Sequence, residues 1–447
     1  MFKTIRNAWS IPDLRKKILF TLLIIILFRV GSVIPVPFLN MDALADLMGA
    51  LSDVSNTAST SLVSYLNTLS GGAFANATIF AMGITPYINS SIIMQLLCVA
   101  IPALERLQKE GEDGRKKIAT ITRYVTVGLG LIQGTAYFFY LKNSTDSKGT
   151  PIATYNEGFA MVFAAIVIIL CFTAGTALMM WMGEQINKYG IGNGISMLLF
   201  AGIIARLPFT VDLLVKYWQM AAQPGGAKFY ALVPLWVVLF LAVIWVITFM
   251  QDAERRIPVQ YAKRVVGRKM YGGQSTHLPI KVALGGVMPI IFASSILSIP
   301  STINMFWTPE AGTFWASFMQ AFSTEGWLYS IVYFVLILMF AYFYTTIQYN
   351  PIEMANNLKQ NNGTIPGIRP GRPTAEFIAK ILSRITLIGA LFLAFIALLP
   401  IAYSAASGLR GLSMGGTSVI IIVGVALDTA KQLESQMMMR HYKGFLD

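Results

Sequence analysis

Residues 71–97 read GGAFANATIFAMGITPYINSSIIMQLL, and the fold turns on this stretch. It is long enough to cross a bilayer, yet it mixes Asn76, Thr78, Thr85, Asn89, Ser90, Ser91 and Gln95 with isoleucines. Unpaired polar groups are costly in hydrocarbon, so a helix of this composition cannot face lipid all round. One face is expected to line a wet or openable space. Ile84 and Ile88 lie four residues apart, which stacks two branched apolar side chains on one helical face. The pair is a candidate gate.

The surrounding chain fits that reading. It has 447 residues, of which 55% are hydrophobic and 12% charged, with mean hydropathy +0.62. This is the composition of a polytopic membrane protein rather than a soluble domain. Apolar segments at 18–34, 74–97, 118–141, 158–182, 231–250, 281–300, 328–348 and 378–400 approach the ~20 residues a spanning helix needs. Two shorter, glycine-bounded runs, 192–208 and 415–430, can span where neighbouring helices shield them. The expected fold is all-α, with ten membrane crossings.

Charge tests the count. With ten crossings, both termini and alternate loops share one side, and 26 of the 34 Lys and Arg residues fall there against six on the other. Cytoplasmic loops carry the basic excess, so both termini are expected in the cytoplasm. The first apolar run reads as a span rather than a cleaved leader, because no A-x-A site follows it and it continues to Val36. Arg29, near the outer end of that run, reads as a snorkelling side chain. Cys98 and Cys171 belong to different spans and suggest no disulfide framework.

A repeat is concealed in the spans. Residues 83–92, GITPYINSSI, and 286–296, GVMPIIFASSI, both run Gly, two residues, Pro, then an isoleucine two later and Ser-Ser-Ile. The match pairs span 2 with span 7 and divides the chain into halves of five, 1–225 and 226–447. An odd number of spans per half forces opposite orientations, which places a pathway between two inverted, pseudo-symmetric lobes. Before span 2, residues 61–69, SLVSYLNTL, are too short to cross and are followed by Gly71-Gly72. They form either a re-entrant element in the outer vestibule or a surface helix.

These motifs, with GIGNGISMLLFAGI, IPGIRPGRPT and GGTSVIII further on, resemble in order and along nearly the whole chain the bacterial SecY family, the central subunit of the protein-secretion channel. The resemblance implies a central hourglass pore, hinged between spans 5 and 6, that conducts unfolded preproteins and releases transmembrane segments sideways into the plasma membrane. It places a pore ring on Ile84, Ile88, Ile195, Leu199, Ile291 and Ile421, where an apolar collar would resist water by dewetting. It places a plug near 57–71, including Ser61, Leu62, Tyr65, Leu66, Leu69 and Gly71. It places a lateral gate between spans 2 and 3 and spans 7 and 8, with Gln95, Ser294 and Ser295 as polar contacts. The cytoplasmic loops 251–281 and 349–377 would dock the ribosome, through rRNA phosphates, and the SecA motor, using Arg255, Arg256, Lys263, Arg264, Arg268, Arg369 and Arg372. SecE-like and SecG-like small subunits, signal sequences, preproteins and membrane lipids complete the implied partners.

Other functions fit less well. A secondary transporter or flippase also uses inverted repeats, but it couples through mid-membrane ionisable residues, and Glu184 and Asp428 read as lying at helix ends. The two histidines, His277 and His441, fall outside the spans and supply neither a metal site nor a buried base. No catalytic site, metal or cofactor is expected. No GxxxxGK[ST] occurs, so the energy for transport must come from a bound motor or from translation.

Overall fold

The structure is a computed structural model that describes residues 2–52, 67, 70–144, 150–155, 158–222, 227–261, 264–266, 269–271, 275–283, 285–306, 313, 317–318, 321–322, 326–407 and 416–443. The first part of the chain forms α1 (Phe2–Ser10), α2 (Pro12–Gly31), α3 (Met41–Ser52), α4 (Thr85–Ala100), α5 (Pro102–Lys109), α6 (Glu112–Asn143), α7 (Gly158–Tyr189), α8 (Gly194–Ile204) and α9 (Leu207–Met220). It continues through α10 (Phe229–Asp252), β1 (Glu254–Tyr261), β2 (Arg264–Val266), β3 (Lys269–Tyr271), β4 (Ser275–Lys281), α11 (Met288–Phe306) and α12 (Trp327–Gln348). The last elements are α13 (Pro351–Gln360), β5 (Gly363–Thr364), α14 (Arg372–Ser407) and α15 (Gly416–Lys443).

Helices stand at all ten expected spans: α2, α4, α6, α7, α8, α10, α11, α12, α14 and α15. Six helical segments among the described residues are long and apolar enough to cross a membrane, and α4 with α5, bent by 100°, makes a seventh. Pro102 explains that bend: it cannot continue α4, and it is well placed in the first turn of α5. Short α8 is started by Asn193, whose side chain accepts from the backbone N–H groups of Ile195 and Ser196 at 3.1 and 3.4 Å.

Span 2 differs from its expected form. A helix over 74–97 is predicted, but regular helix begins only at Thr85; residues 70–84 run as a chain of turns. Their backbone groups find partners off the helical pattern. Ile79 N donates to Ile34 O and Val36 N to Ala77 O, both at 3.1 Å, and the Tyr137 hydroxyl donates to Phe74 O at 2.5 Å. Buried Val36, Phe74, Ala77, Tyr137, Phe138 and Phe172 enclose the segment. Gly83, at φ +57°, then turns the chain into α4. The partner motif makes the same turn. Gly286 sits at φ +56°, and the helix that follows again carries proline as its second residue.

The main core joins Ile24 and Phe28 of α2, Ile88 and Ile92 of α4, Met182 and Ile186 of α7, Leu199 of α8, Trp236 of α10, Ile291 of α11, Phe340 of α12, Leu393 of α14 and Ile421 of α15. Outward-facing Leu23, Ile26, Val238, Leu241 and Trp245 are exposed on the protein, as lipid-facing residues are. A separate module forms from β4-β1-β5, a sheet in which β1 pairs antiparallel with both neighbours. Its core, Ile257, Val259, Ile280, Leu358, Ile365, Ile378, Leu382 and Ile385, draws on the sheet, α13 and the start of α14.

Close helix approach is built into particular glycines. A Cβ on Gly194 would lie 2.0 Å from Gly183 O and 2.9 Å from Ile186 Cβ, so α7 and α8 meet there backbone to backbone. Gly194→Val should lower the thermal unfolding midpoint in detergent, with a loss of about 1–3 kcal/mol or more from overpacking; an unchanged midpoint would show that the contact yields.

Candidate pore, gate and docking surface

The ring residues converge from four helices. Ile88 of α4, Leu199 of α8, Ile291 of α11 and Ile421 of α15 line one cavity with Thr85, Ile290, Ser294, Ser295 and Thr417. Its volume is about 10 Å³, the size that admits a single water. Ile84 ends the turn before α4 and is 2% exposed within the same core cluster. Ile195 packs against that cluster from its edge, half-buried beside Gly183, where a Cβ would lie 3.5 Å from Ile195 Cγ1. The structure therefore brings five of the six side chains into one core, four of them around one small void. Ile195 stands at the rim.

Hydroxyls back this apolar constriction. Ser294 and Ser295, expected as contacts between gate helices, line this void, and Ser294 Oγ donates to Ile291 O at 3.0 Å. Gln95 is not with them: its Nε2 donates to Ser91 Oγ on its own helix at 3.3 Å. Thr85 was named for its polarity only, and Ile290 and Thr417 were not singled out by sequence, although both lie in motifs that were. The seam itself is present, since α11 packs against α6 and α4. On the opposite side, α15 packs against α8, where Thr429 Oγ1 donates to Met197 Sδ at 3.6 Å.

Sequence reading also passed over an ion pair. Arg123 of α6 grips Glu184 of α7 through two bonds of 2.8 Å, Nε to Oε1 and Nη2 to Oε2. Glu184 lies more than a turn inside α7 rather than at its end. A bidentate pair fixes geometry as well as charge, so α6 and α7 are pinned together. Nearby, Ser90 Oγ donates to Thr122 O at 2.7 Å and ties α4 to α6.

Of the plug residues, Ser61, Leu62, Tyr65, Leu66 and Leu69 lie outside the described residues. Gly71 is described: it adopts φ +67° and accepts a bond from Arg29 Nη1 at 3.2 Å. Arg29 thus reaches across to the turn segment rather than outward.

In the sheet module, Arg255 and Arg256 point to solvent from β1 while alternate residues Ile257 and Val259 are buried. Arg256 also pairs with Glu254 at 2.7 Å. Arg369 is exposed at the tip of a turn between Gly367 at φ +83° and Gly371 at φ +102°, and among the described residues it has no carboxylate partner. Pro366 and Pro370 stiffen the turn, and Thr374 Oγ1 donates to Arg369 O at 2.9 Å. Arg372 pairs with Glu376 at 3.1 Å. Arg264 lies in β2, which pairs with β3; Lys263 and Arg268 fall outside the described residues.

Comparison with known proteins agrees with this geometry. The family model SecY matches residues 78–430. The chain belongs to the SecY family. Protein translocase subunit SecY of Streptomyces coelicolor is 43% identical over the whole of both chains, and that of Mycobacterium tuberculosis is 42% identical over 97% of each. The SecY of Halalkalibacterium halodurans is 44% identical over the full length of both. Among solved structures, a protein-conducting channel superposes with TM-score 0.64 at 18% identity, covering 95% of this chain and 92% of that one. A canine Sec61 in its ribosome-channel complex gives 0.59 at 15%, with the same coverage. The chain is a multi-pass membrane protein of the translocase, a channel subunit and not an enzyme.

Polar replacement should wet the constriction. Ile88→Ser with Ile291→Ser is expected to raise ion leakage of resting proteoliposomes several-fold, because hydroxyls lower the cost of filling an apolar collar. Conductance equal to wild type would remove these two side chains from the barrier.

Proposed function

We propose that Ile84, Ile88, Ile195, Leu199, Ile291 and Ile421 form an expandable ring through which an unfolded preprotein passes between the halves 1–225 and 226–447. The single observation that carries this reading is the void shared by Ile88, Leu199, Ile291 and Ile421. It is water-sized at rest, and it lies between helices from both halves that start with the same Gly-x-x-Pro turn. Aliphatic side chains can part around a chain and close again without breaking polar bonds. An apolar segment of the cargo leaves sideways at the seam of α4 and α6 against α11 and α12, where Ser294, Ser295 and Gln95 offer small or polar surfaces that part at modest cost.

A solved SecY channel has a plug domain described as stabilising the closed state and maintaining a membrane seal. Residues 57–71 are the corresponding candidate here, seated from the outer side. The hairpin module carries the docking surface: Arg255, Arg256, Lys263, Arg264, Arg268, Arg369 and Arg372 engage SecA or the ribosome, as the solved canine Sec61 channel engages a ribosome. Arg369, stiffly presented and unneutralised among the described residues, is the strongest contact. SecE-like and SecG-like subunits brace the channel in the plasma membrane, with both termini cytoplasmic.

A preprotein stalled in transit and carrying a photoreactive residue should crosslink to Ile88, Ile291 and Ile421 and not to exposed Val238; crosslinks to the lipid-facing surface alone would overturn the pathway. Arg369→Glu should reduce motor-driven export about tenfold or more in reconstituted vesicles. The same change should weaken ribosome binding, and wild-type binding should fall steeply with salt, since phosphate contacts release counterions. Export and binding at wild-type levels would remove Arg369 from docking.

A further inference from the structure

Two halves that part at one seam turn about an axis, and an axis is defined by two fixed points. The chain itself supplies one of them, because the link from Met220 to Phe229 joins α9 to α10 covalently. Helix α10 then runs 24 residues to Asp252, about 36 Å at the α-helical rise. There Asp252 Oδ1 pairs with Lys431 Nζ of α15 at 2.7 Å. The C-terminal part of α15 therefore lies at the far end of α10 from the covalent link. What else it touches there precedes residue 226.

Thr429, Leu433, Gln436 and Met437 are spaced to share one face of α15. Leu433 is buried with Ala8 of α1, Leu14 of α2 and Ile191 of the connection between α7 and α8, and Ile11, Ile18 and Met437 pack around them. The socket is closely built. Thr21 Oγ1 of α2 accepts from Ile191 N at 3.1 Å, and a Cβ on Gly190 would lie 2.6 Å from that same oxygen. The connection thus sits nearer α2 than any side chain at Gly190 would allow. Toward α15, a Cβ on Gly192 would lie 3.2 Å from Thr429 Oγ1. Two further bonds flank the socket: Thr429 Oγ1 donates to Met197 Sδ of α8 at 3.6 Å, and Lys17 Nζ of α2 donates to Gln436 Oε1 at 3.5 Å. One face of α15 is therefore seated on α1, α2, α8 and the connection before α8, while Lys431 holds α10.

We propose that this seat is the second fixed point: Leu433 is a positioning residue whose contact with Ala8, Leu14 and Ile191 stays closed while the seam of α4 and α6 against α11 and α12 opens. The proposal rests on the reading of a pore between two halves. With the axis running from the seat to the α9-to-α10 link, Leu199 of α8 and Ile421 of α15 lie on its side of the ring and move least. Ile88 and Ile291, toward the seam, separate most.

The test places one tether at the seat or at the seam. In a channel carrying Cys98→Ser and Cys171→Ser, the pair Lys17→Cys with Gln436→Cys bridges the seat, and the pair Ile88→Cys with Ser294→Cys bridges the seam across the shared void. A short bifunctional maleimide joins either pair, and the joined fraction is read on a denaturing gel after proteolytic cleavage between the halves. Each channel before joining is its own reference, so a folding defect of the cysteine variants cancels. Motor-driven export in reconstituted vesicles should keep about half its rate or more with the seat joined, and fall about tenfold or more with the seam joined. Loss of export with the seat joined would overturn the fixed point and, where the seam tether also blocks, leave the pore reading standing. Export that survives both tethers would count against the pore reading itself.

Discussion

Backbone polar groups inside a bilayer have no water to fall back on, and the architecture follows from how residues 70–84 meet that constraint. These residues do not form a regular helix, so turn bonds such as Ala77 N to Phe74 O and Thr78 N to Ala73 O meet only part of their backbone N–H and C=O groups. Neighbours supply others: Ile34 O accepts from Ile79 N, Ala77 O accepts from Val36 N, and Tyr137, itself fully buried, donates its hydroxyl to Phe74 O. Each of those partners must then be held in place. The segment following α2 comes in to pair with the turns, and α6 and α7 pack over them with Tyr137, Phe138 and Phe172. The irregular stretch is thus enclosed by regular helices, and it delays the start of α4 to Thr85.

Starting the helix at Thr85 rather than at residue 74 has a further effect. Ile84 precedes α4, and Ile88 lies in its first turn; the equivalent turn at Gly286 puts Ile290 and Ile291 in the first turn of α11. Two helices of matching design therefore deliver branched side chains to the same cavity. α8 and α15 also begin with glycine, at Gly194 and Gly416, and contribute Leu199 and Ile421. The narrow void is the place where four helix beginnings meet. Dewetting there needs only apolar surface and small diameter.

Much of this was legible in residue order. Hydropathy and the one-sided placement of Lys and Arg located ten helices, while the Gly-x-x-Pro repeat, read as part of two spans, did not announce the turns it makes at Gly83 and Gly286, with φ of +57° and +56°. Of the candidate ring residues, all but Ile195 are buried in the main core, and Ile195 packs against it beside Gly183. What could not be read was any feature depending on who sits opposite. Residues 74–84 look apolar enough for helix, and only the partners at residues 34–36 and Tyr137 explain why they turn. Gln95 donates its amide to Ser91, one turn back, a partner that composition alone does not name. Arg123 and Glu184 are 61 residues apart, and nothing local announces that they meet.

The sheet module shares its core with a membrane helix, which gives the molecule a mechanical linkage. Ile378, Leu382 and Ile385 of α14 are buried together with Ile257, Val259 and Ile280 of the hairpin, so the hairpin is not a tethered flag but the short arm of a lever. Beyond that joint, α14 lies along α12, to which Thr386 and Ser383 are bonded through Thr345 and Tyr342, and α12 in turn lies against α11. Torque applied by a bound motor to the arm would be delivered, through two rigid rods, to the helix that carries Ile291.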